Sequence, residues 1–175
     1  SSLGEDKMEA GSVYATEATR CVVKLSEFGF STNIAAIENN KELLQRAKAF
    51  GVPTNALSLA QFAIAEDISS IGFTVLELLL GYLSSSEDER GAVADVEGLR
   101  RQYDLMEGNV NMLRDYLRDD SNEAAITLLD EDERAGWKCV DLMISARERV
   151  KKNFEQGEMK FLTARGILKG SVFLQ

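Results

Sequence analysis

Histidine is absent from the 175 residues, which removes every chemistry that depends on an imidazole within this chain. Ser-His-Asp and Cys-His catalysis, histidine-ligated zinc and a histidine pH switch are excluded. Cys21 and Cys139 are far apart and form no metal or redox motif, which fits a reducing, intracellular compartment better than a disulfide framework. The acids offer two candidate sites. In "VKLSEFGFS", residues 23–31, Glu27 follows an alternating run and precedes Phe28 and Gly29, so its carboxylate is a possible oxygen ligand for a hard cation. Asp130, Glu131, Asp132 and Glu133 form an acidic run. It lacks the alternating ligands and central glycine of a calcium loop and reads instead as an acidic turn at a helix start.

Hydrophobic residues make up 45% of the chain, enough for one ordinary domain with a real core. The net charge of −9 argues against a nucleic-acid binder, which needs a concentrated basic surface. The densest basic run, "ARERVKK" at 146–152, reads as a solvated helix face. The longest apolar stretch, 71–83, is shorter than a membrane span and contains Glu77, so no transmembrane segment is expected. No signal or transit segment is visible at the start.

The elements that must position these residues are mostly helical. Residues 1–20 are small and polar, the composition of a mobile or incomplete segment. Residues 21–26 alternate as one short strand. The next helix, "TNIAAIENNKELLQRAKAF", places Ile34, Ile37 and Leu44 on one face. Thr32 or Asn33 can cap it, Gly51 can end it, and Pro53, the single proline, prevents its continuation. "AEDISSIGFTVLELLLGYL", 65–83, is apolar almost all round and predicts a helix buried in the middle of the domain. Ile68, Ile71, Val75, Leu78 and Leu79 share one side, with Phe73, Leu76 and Leu80 covering much of the rest. A solvated loop follows. Further helices are predicted in "DVEGLRRQYDLM", in "NVNMLRDYLRDD" and in the run 122–150, which is too long for one helix and should break near Asp130 or Gly136. Trp137, the single tryptophan, could anchor an interface, but its place before "CVDLM" predicts core packing. "LTARGILKGSVFL" predicts a short helix closed by Gly170 and an apolar tail.

In order, these features resemble the C-terminal lobe of a protein kinase over about residues 20–175. "VKLSEFGFS" resembles the strand that carries Asp-Phe-Gly, whose acid holds catalytic magnesium. "EDISSIGFTVLELLLG" resembles the buried central helix, with Asp67, Ser70, Gly72 and Glu77 in pattern and Ser69 in place of Trp. "GWKCVDLMIS" and the later "LTARGILKGSVFL" resemble the closing helices. Thr163, Ala164, Leu168 and Phe173 match, and Gly170 replaces His. The run from Met112 to Trp137 is also similar to kinase-like proteins of plant chloroplasts, which would place the chain there. The resemblance implies a mainly α, kinase-like lobe at 21–175, with structural roles for Phe28, Gly29, Pro53, Asp67, Gly72 and Trp137. Asp67, which starts the central helix in the family, is expected to cap it here through the amides near Ser69 and Ser70.

The departures from the family decide what the resemblance implies about activity. A glycine-rich loop, a strand Lys and a catalytic Asp with a metal-binding Asn all precede the Asp-Phe-Gly strand in a kinase. Here 26 residues precede Glu27, and Asp6-Lys7, the nearest stand-in for a catalytic Asp and Lys, lacks the Asn, with Gly11 at that point. Glu27 keeps a carboxylate, but its extra methylene moves the oxygens by about a bond length, which octahedral magnesium tolerates badly. It is a degenerate ligand position, and no metal, catalytic residue or cofactor is expected. Thr54 replaces the Glu of Ala-Pro-Glu, and Phe161 replaces the Arg that would pair with it, leaving Arg147 or Arg149 as the nearest substitutes. Losing both partners together avoids a stranded buried charge. The expectation is a pseudokinase-type module that binds a protein partner or serves as a scaffold or subunit. The alternatives are the C-terminal part of an active Ser/Thr kinase whose nucleotide lobe is not in this chain, and an unrelated helical adaptor.

Overall fold

The structure, a computed structural model of the chain, describes residues 33–83, 95–119, 123–158 and 163–171. All of them belong to one compact unit, Thr32–Gln175. It is mainly helical, and the described residues contain no strand. The expected strand at 21–26 and the segment 1–20 lie outside the described residues.

The first predicted helix is two pieces. A 3-10 segment spans Ile34–Asn39, with Asn33 Oδ1 accepting the Ala35 amide at 2.9 Å. Asn40 then leaves the helical region and caps α1, Lys41–Phe50, by accepting the Leu43 amide at 3.0 Å. Asparagine competes with the helix for its own backbone donors, so a helix passing through Asn39-Asn40 restarts there. The restart rotates the apolar face. Ile37, Leu43 and Ala47 are buried, whereas Ile34 is exposed. Gly51 ends α1 in the left-handed region at φ 86°, and the Val52 amide donates to Ala47 O at 2.9 Å.

α2 spans Ala56–Leu83, 28 residues and about 42 Å at the standard rise. It starts well before the acids Glu66 and Asp67. Asn55 Oδ1 accepts the Ser58 amide at 3.0 Å, and Glu38 Oε1 accepts the Ala56 amide at 3.0 Å. α2 takes part in all three core clusters. Leu59 and Phe62 pack with Ile37, Leu43, Ala47 and Val52. Ala65 and Ile68 pack with Cys139, Met143, Val150 and Ile167. Phe73, Leu76 and Leu80 pack with Leu99, Tyr103, Leu113, Leu129, Trp137 and Ile144.

The partners of α2 are short helices with local caps. α3, Val96–Leu105, begins at Asp95, whose Oδ1 accepts the Gly98 amide at 2.7 Å. α4, Val110–Asp119, is capped by Asn109, which accepts the Asn111 and Met112 amides at 3.0 and 3.2 Å. α5, Glu123–Ile144, is interrupted at Glu131–Arg134, where Asp132, Glu133 and Arg134 take φ of 48°, 58° and 65°. The acidic run therefore supplies a left-handed turn between two helical halves. Arg114, 9% exposed, forks onto Asp130 just before the turn at 2.7 and 2.6 Å. α6, Ala146–Glu155, follows directly, and α7, Ala164–Gly170, is capped by the Thr163 hydroxyl, which accepts the Gly166 amide at 3.0 Å.

Candidate functional site

Glu27, Phe28 and Gly29, with Cys21, Asp6 and Lys7, lie outside the described residues. Pro53 sits exposed in the turn between α1 and α2, next to buried Val52.

Asp67 does not begin or cap the central helix, which corrects the sequence expectation. Because α2 starts at Ala56, Asp67 lies inside it and on its exposed side. It makes no ion pair among the described residues. Partial burial, with the adjacent Glu66 second, holds its carboxyl above the ordinary carboxylate range.

Ser69, which stands where the kinase pattern has Trp, is buried, and its hydroxyl donates to Ile144 O at 3.0 Å. It satisfies a carbonyl at the end of α5 that has no partner within its own helix. One turn of α2 away, Gly72 lets the two helices meet closely. A Cβ built there would lie 2.7 Å from Met143 Cβ and 2.9 Å from Ile144 Cγ2. Trp137, 4% exposed, packs in the largest core cluster and is not a surface anchor. Arg149 donates to Asp141 Oδ2 at 2.8 Å and to Ser145 Oγ at 2.7 Å. Arg147 lies over the Phe50 ring at 5.4 Å, and neither arginine is bonded to Thr54.

The face of α2 opposite this packing carries Asp67, Ile71, Thr74 and Leu78, spaced as one helical stripe. Ile71 is 56% exposed and Leu78 is 63% exposed. Val75, between them, is half-buried. The expectation of a helix buried on every side is therefore corrected. The helices around α2 cover the side of Phe73, Leu76 and Leu80 and leave an apolar strip open.

A cavity of about 610 Å³ lies between the α3–α4 turn and the second half of α5. Two of its charged residues pair with groups outside its lining, Asp141 with Arg149 at 2.8 Å and Lys138 loosely with Glu133 at 3.9 Å. No nucleophile faces a base across it. Among the described residues, no group of His, Cys, Asp and Glu is placed to hold a metal ion, and no helix is long and apolar enough to cross a membrane. The strip on α2 can bury apolar surface but offers no acid–base or nucleophilic pair. Searches with the whole chain match no protein-family profile, no curated protein and no solved structure.

Proposed function

We propose that the chain is a kinase-like C-terminal lobe that has lost phosphoryl transfer and binds another protein through the open face of α2. The observation that carries this reading is the exposed strip Ile71–Val75–Leu78 on the helix that organises the core. Single exposed leucines are ordinary on any surface. Two large aliphatic side chains in one stripe, on the longest helix, suit a partner that lays its own apolar face into the strip. The kinase-like part rests on the order of the motifs in the sequence, and a central helix flanked by α3, α5 and α6 is the arrangement that reading calls for.

The test is affinity capture followed by mass spectrometry, comparing the wild-type chain with an Ile71→Lys/Leu78→Lys variant. Circular dichroism first establishes that the variant is folded. Capture of a defined partner by the wild type and its loss from the variant is expected. Equal capture by both would overturn the assignment of this face. By the same reading, the chain binds no ATP with magnesium. Micromolar ATP affinity by calorimetry, strengthened by magnesium and abolished by Glu27→Ala, would replace it with the active-kinase alternative.

A further inference from the structure

A polar cavity of about 370 Å³ opens where α1, α2, α3 and α6 meet, with Arg46, Asp67, Ser70, Arg100 and Arg147 on its walls. The arginines differ in what they have left to offer. Arg46 is spent, because Nε and Nη2 fork onto Glu66 at 3.0 Å each. Arg100 gives one hydrogen bond, from Nη2 to Ser70 Oγ at 2.9 Å, and has no carboxylate partner among the described residues. Arg147 has acids only at 3.9 Å (Asp104) and 3.8 Å (Glu148), beyond hydrogen-bond reach. The Nε atoms of both Arg100 and Arg147 are buried without an acceptor.

Both guanidiniums are nevertheless held in place. Arg100 lies over the Phe73 ring at 5.4 Å, and Arg147 over the Phe50 ring at 5.4 Å. Stacking on an aromatic face fixes a guanidinium while leaving its in-plane N–H donors free. The two also face the same side. Arg100 and Asp104 are four residues apart on α3, hence on one face, and Asp104 Oδ1 lies 3.9 Å from Arg147 Nη2. Against these two cations stand Asp67, which lines the cavity without an ion pair, and the two carboxylates beside Arg147, Glu148 at 3.8 Å and Asp104 at 3.9 Å, while Glu66 is taken by Arg46. Such an arrangement is unusual in a chain of net charge −9, whose overall field repels anions.

We propose that this cavity binds a phosphoryl oxyanion, with Arg100 and Arg147 as its principal donors. A carboxylate has two oxygens and one charge, too few for two guanidinium forks. A phosphate monoester carries three terminal oxygens and a charge near −2, which matches them. The ligand is either free phosphate or a phosphorylated side chain. The inference uses neither Ile71 nor Leu78 and does not depend on the kinase-like reading.

The experiment is calorimetric titration of the full chain with inorganic phosphate and, separately, with phosphoserine blocked at both ends. Arg100→Gln, Arg147→Gln and a control, Arg101→Gln on the exposed side of α3, are compared after thermal melts show each is folded. Loss of a charge-assisted hydrogen bond should weaken binding about tenfold in each cavity variant and leave the control unchanged. Tighter binding of the phosphoserine derivative identifies a phosphorylated protein as the source. Equal binding identifies the free anion, and both results sustain the site. Should a cavity variant fail to fold, phosphate-induced shifts of the Arg100 and Arg147 Nε–H resonances in the wild type are the deciding measurement. Absence of binding by either probe at millimolar concentration, or binding that moves neither resonance and survives both substitutions, would overturn the proposal.

Discussion

Gly72→Ala sets two opposing effects against each other inside α2, and the structure decides which one wins. Replacing glycine by alanine in a helix interior stabilises by about 0.8–1.0 kcal/mol in the absence of contacts. At Gly72 the new methyl would meet Met143 Cβ at 2.7 Å, Ile144 Cγ2 at 2.9 Å and the Ile144 amide nitrogen at 3.1 Å. The nearest of these is fixed to the α5 backbone and cannot rotate away, so the helices must separate. Overpacking of this kind costs about 1–3 kcal/mol. The net expectation is a loss of about 1 kcal/mol. Gly81, on the same helix, has nothing within 4 Å of its built Cβ, so Gly81→Ala should keep the full propensity gain. The two variants should therefore lie roughly 2 kcal/mol apart, or about 1 M in urea midpoint. Trp137 is the single tryptophan and is buried in the core, so its fluorescence and far-UV circular dichroism should report the same transition. If Gly72→Ala raises the midpoint as much as Gly81→Ala, α2 and α5 do not make this approach and the argument fails.

Other substitutions have equally definite signs. Asp67→Ala should raise stability by up to about 0.7 kcal/mol in urea unfolding, because Asp67 is a helix-interior acid and not a cap. Its folded carboxyl is raised, so its contribution is present below the unfolded carboxylate pKa of about 3.9 and is lost as pH rises. The gain from Asp67→Ala should accordingly shrink in acid. Asp130 behaves in the opposite way. Hydrogen bonds from Arg114 hold its carboxyl below the ordinary range, so its contribution is full above about pH 4 and is lost as pH falls through the lowered value. Asp130→Asn should cost roughly 1.5–3 kcal/mol at neutral pH and flatten the acid limb of the stability profile. Glu133→Gly should stabilise by about 1 kcal/mol in thermal or urea melts. It relieves a φ of 58°, and only a loose 3.9 Å contact with Lys138 is lost.

What could be read from the sequence was local chemistry. Gly51 and Pro53 end α1 where their backbone preferences require, and the run 122–150 breaks next to Asp130. The sequence places the start of α2 too late, because Asp67 stands in the position of a cap. The effective signal was Asn55, two residues after Pro53, together with Glu38 reaching in from another element. The open strip on α2 was not legible either. Ile71 and Leu78 are as hydrophobic as Phe73 and Leu80, and only the number of neighbouring helices decides which side stays uncovered. The arginine cavity was missed for a similar reason. Its donors come from separate helices, and the property that matters, cations stacked on rings and short of acceptors, has no sequence pattern.

The distance in sequence between α2 and its partners has a consequence during biosynthesis. Ser69 is bonded to Ile144 across a separation of 75 residues, and the core cluster of Ala65 and Ile68 is completed by residues from Cys139 to Ile167. At ribosomal rates, 75 residues take roughly 4–15 s to add. For that interval the apolar side of a 28-residue helix has left the ribosome without the surfaces that will cover it. The nascent chain must therefore be shielded by a chaperone or held in a provisional collapse against α1 and the 3-10 segment, the partners already made. A ribosome-stalled chain ending before α5 should bind such a factor, and one extended past α7 should release it.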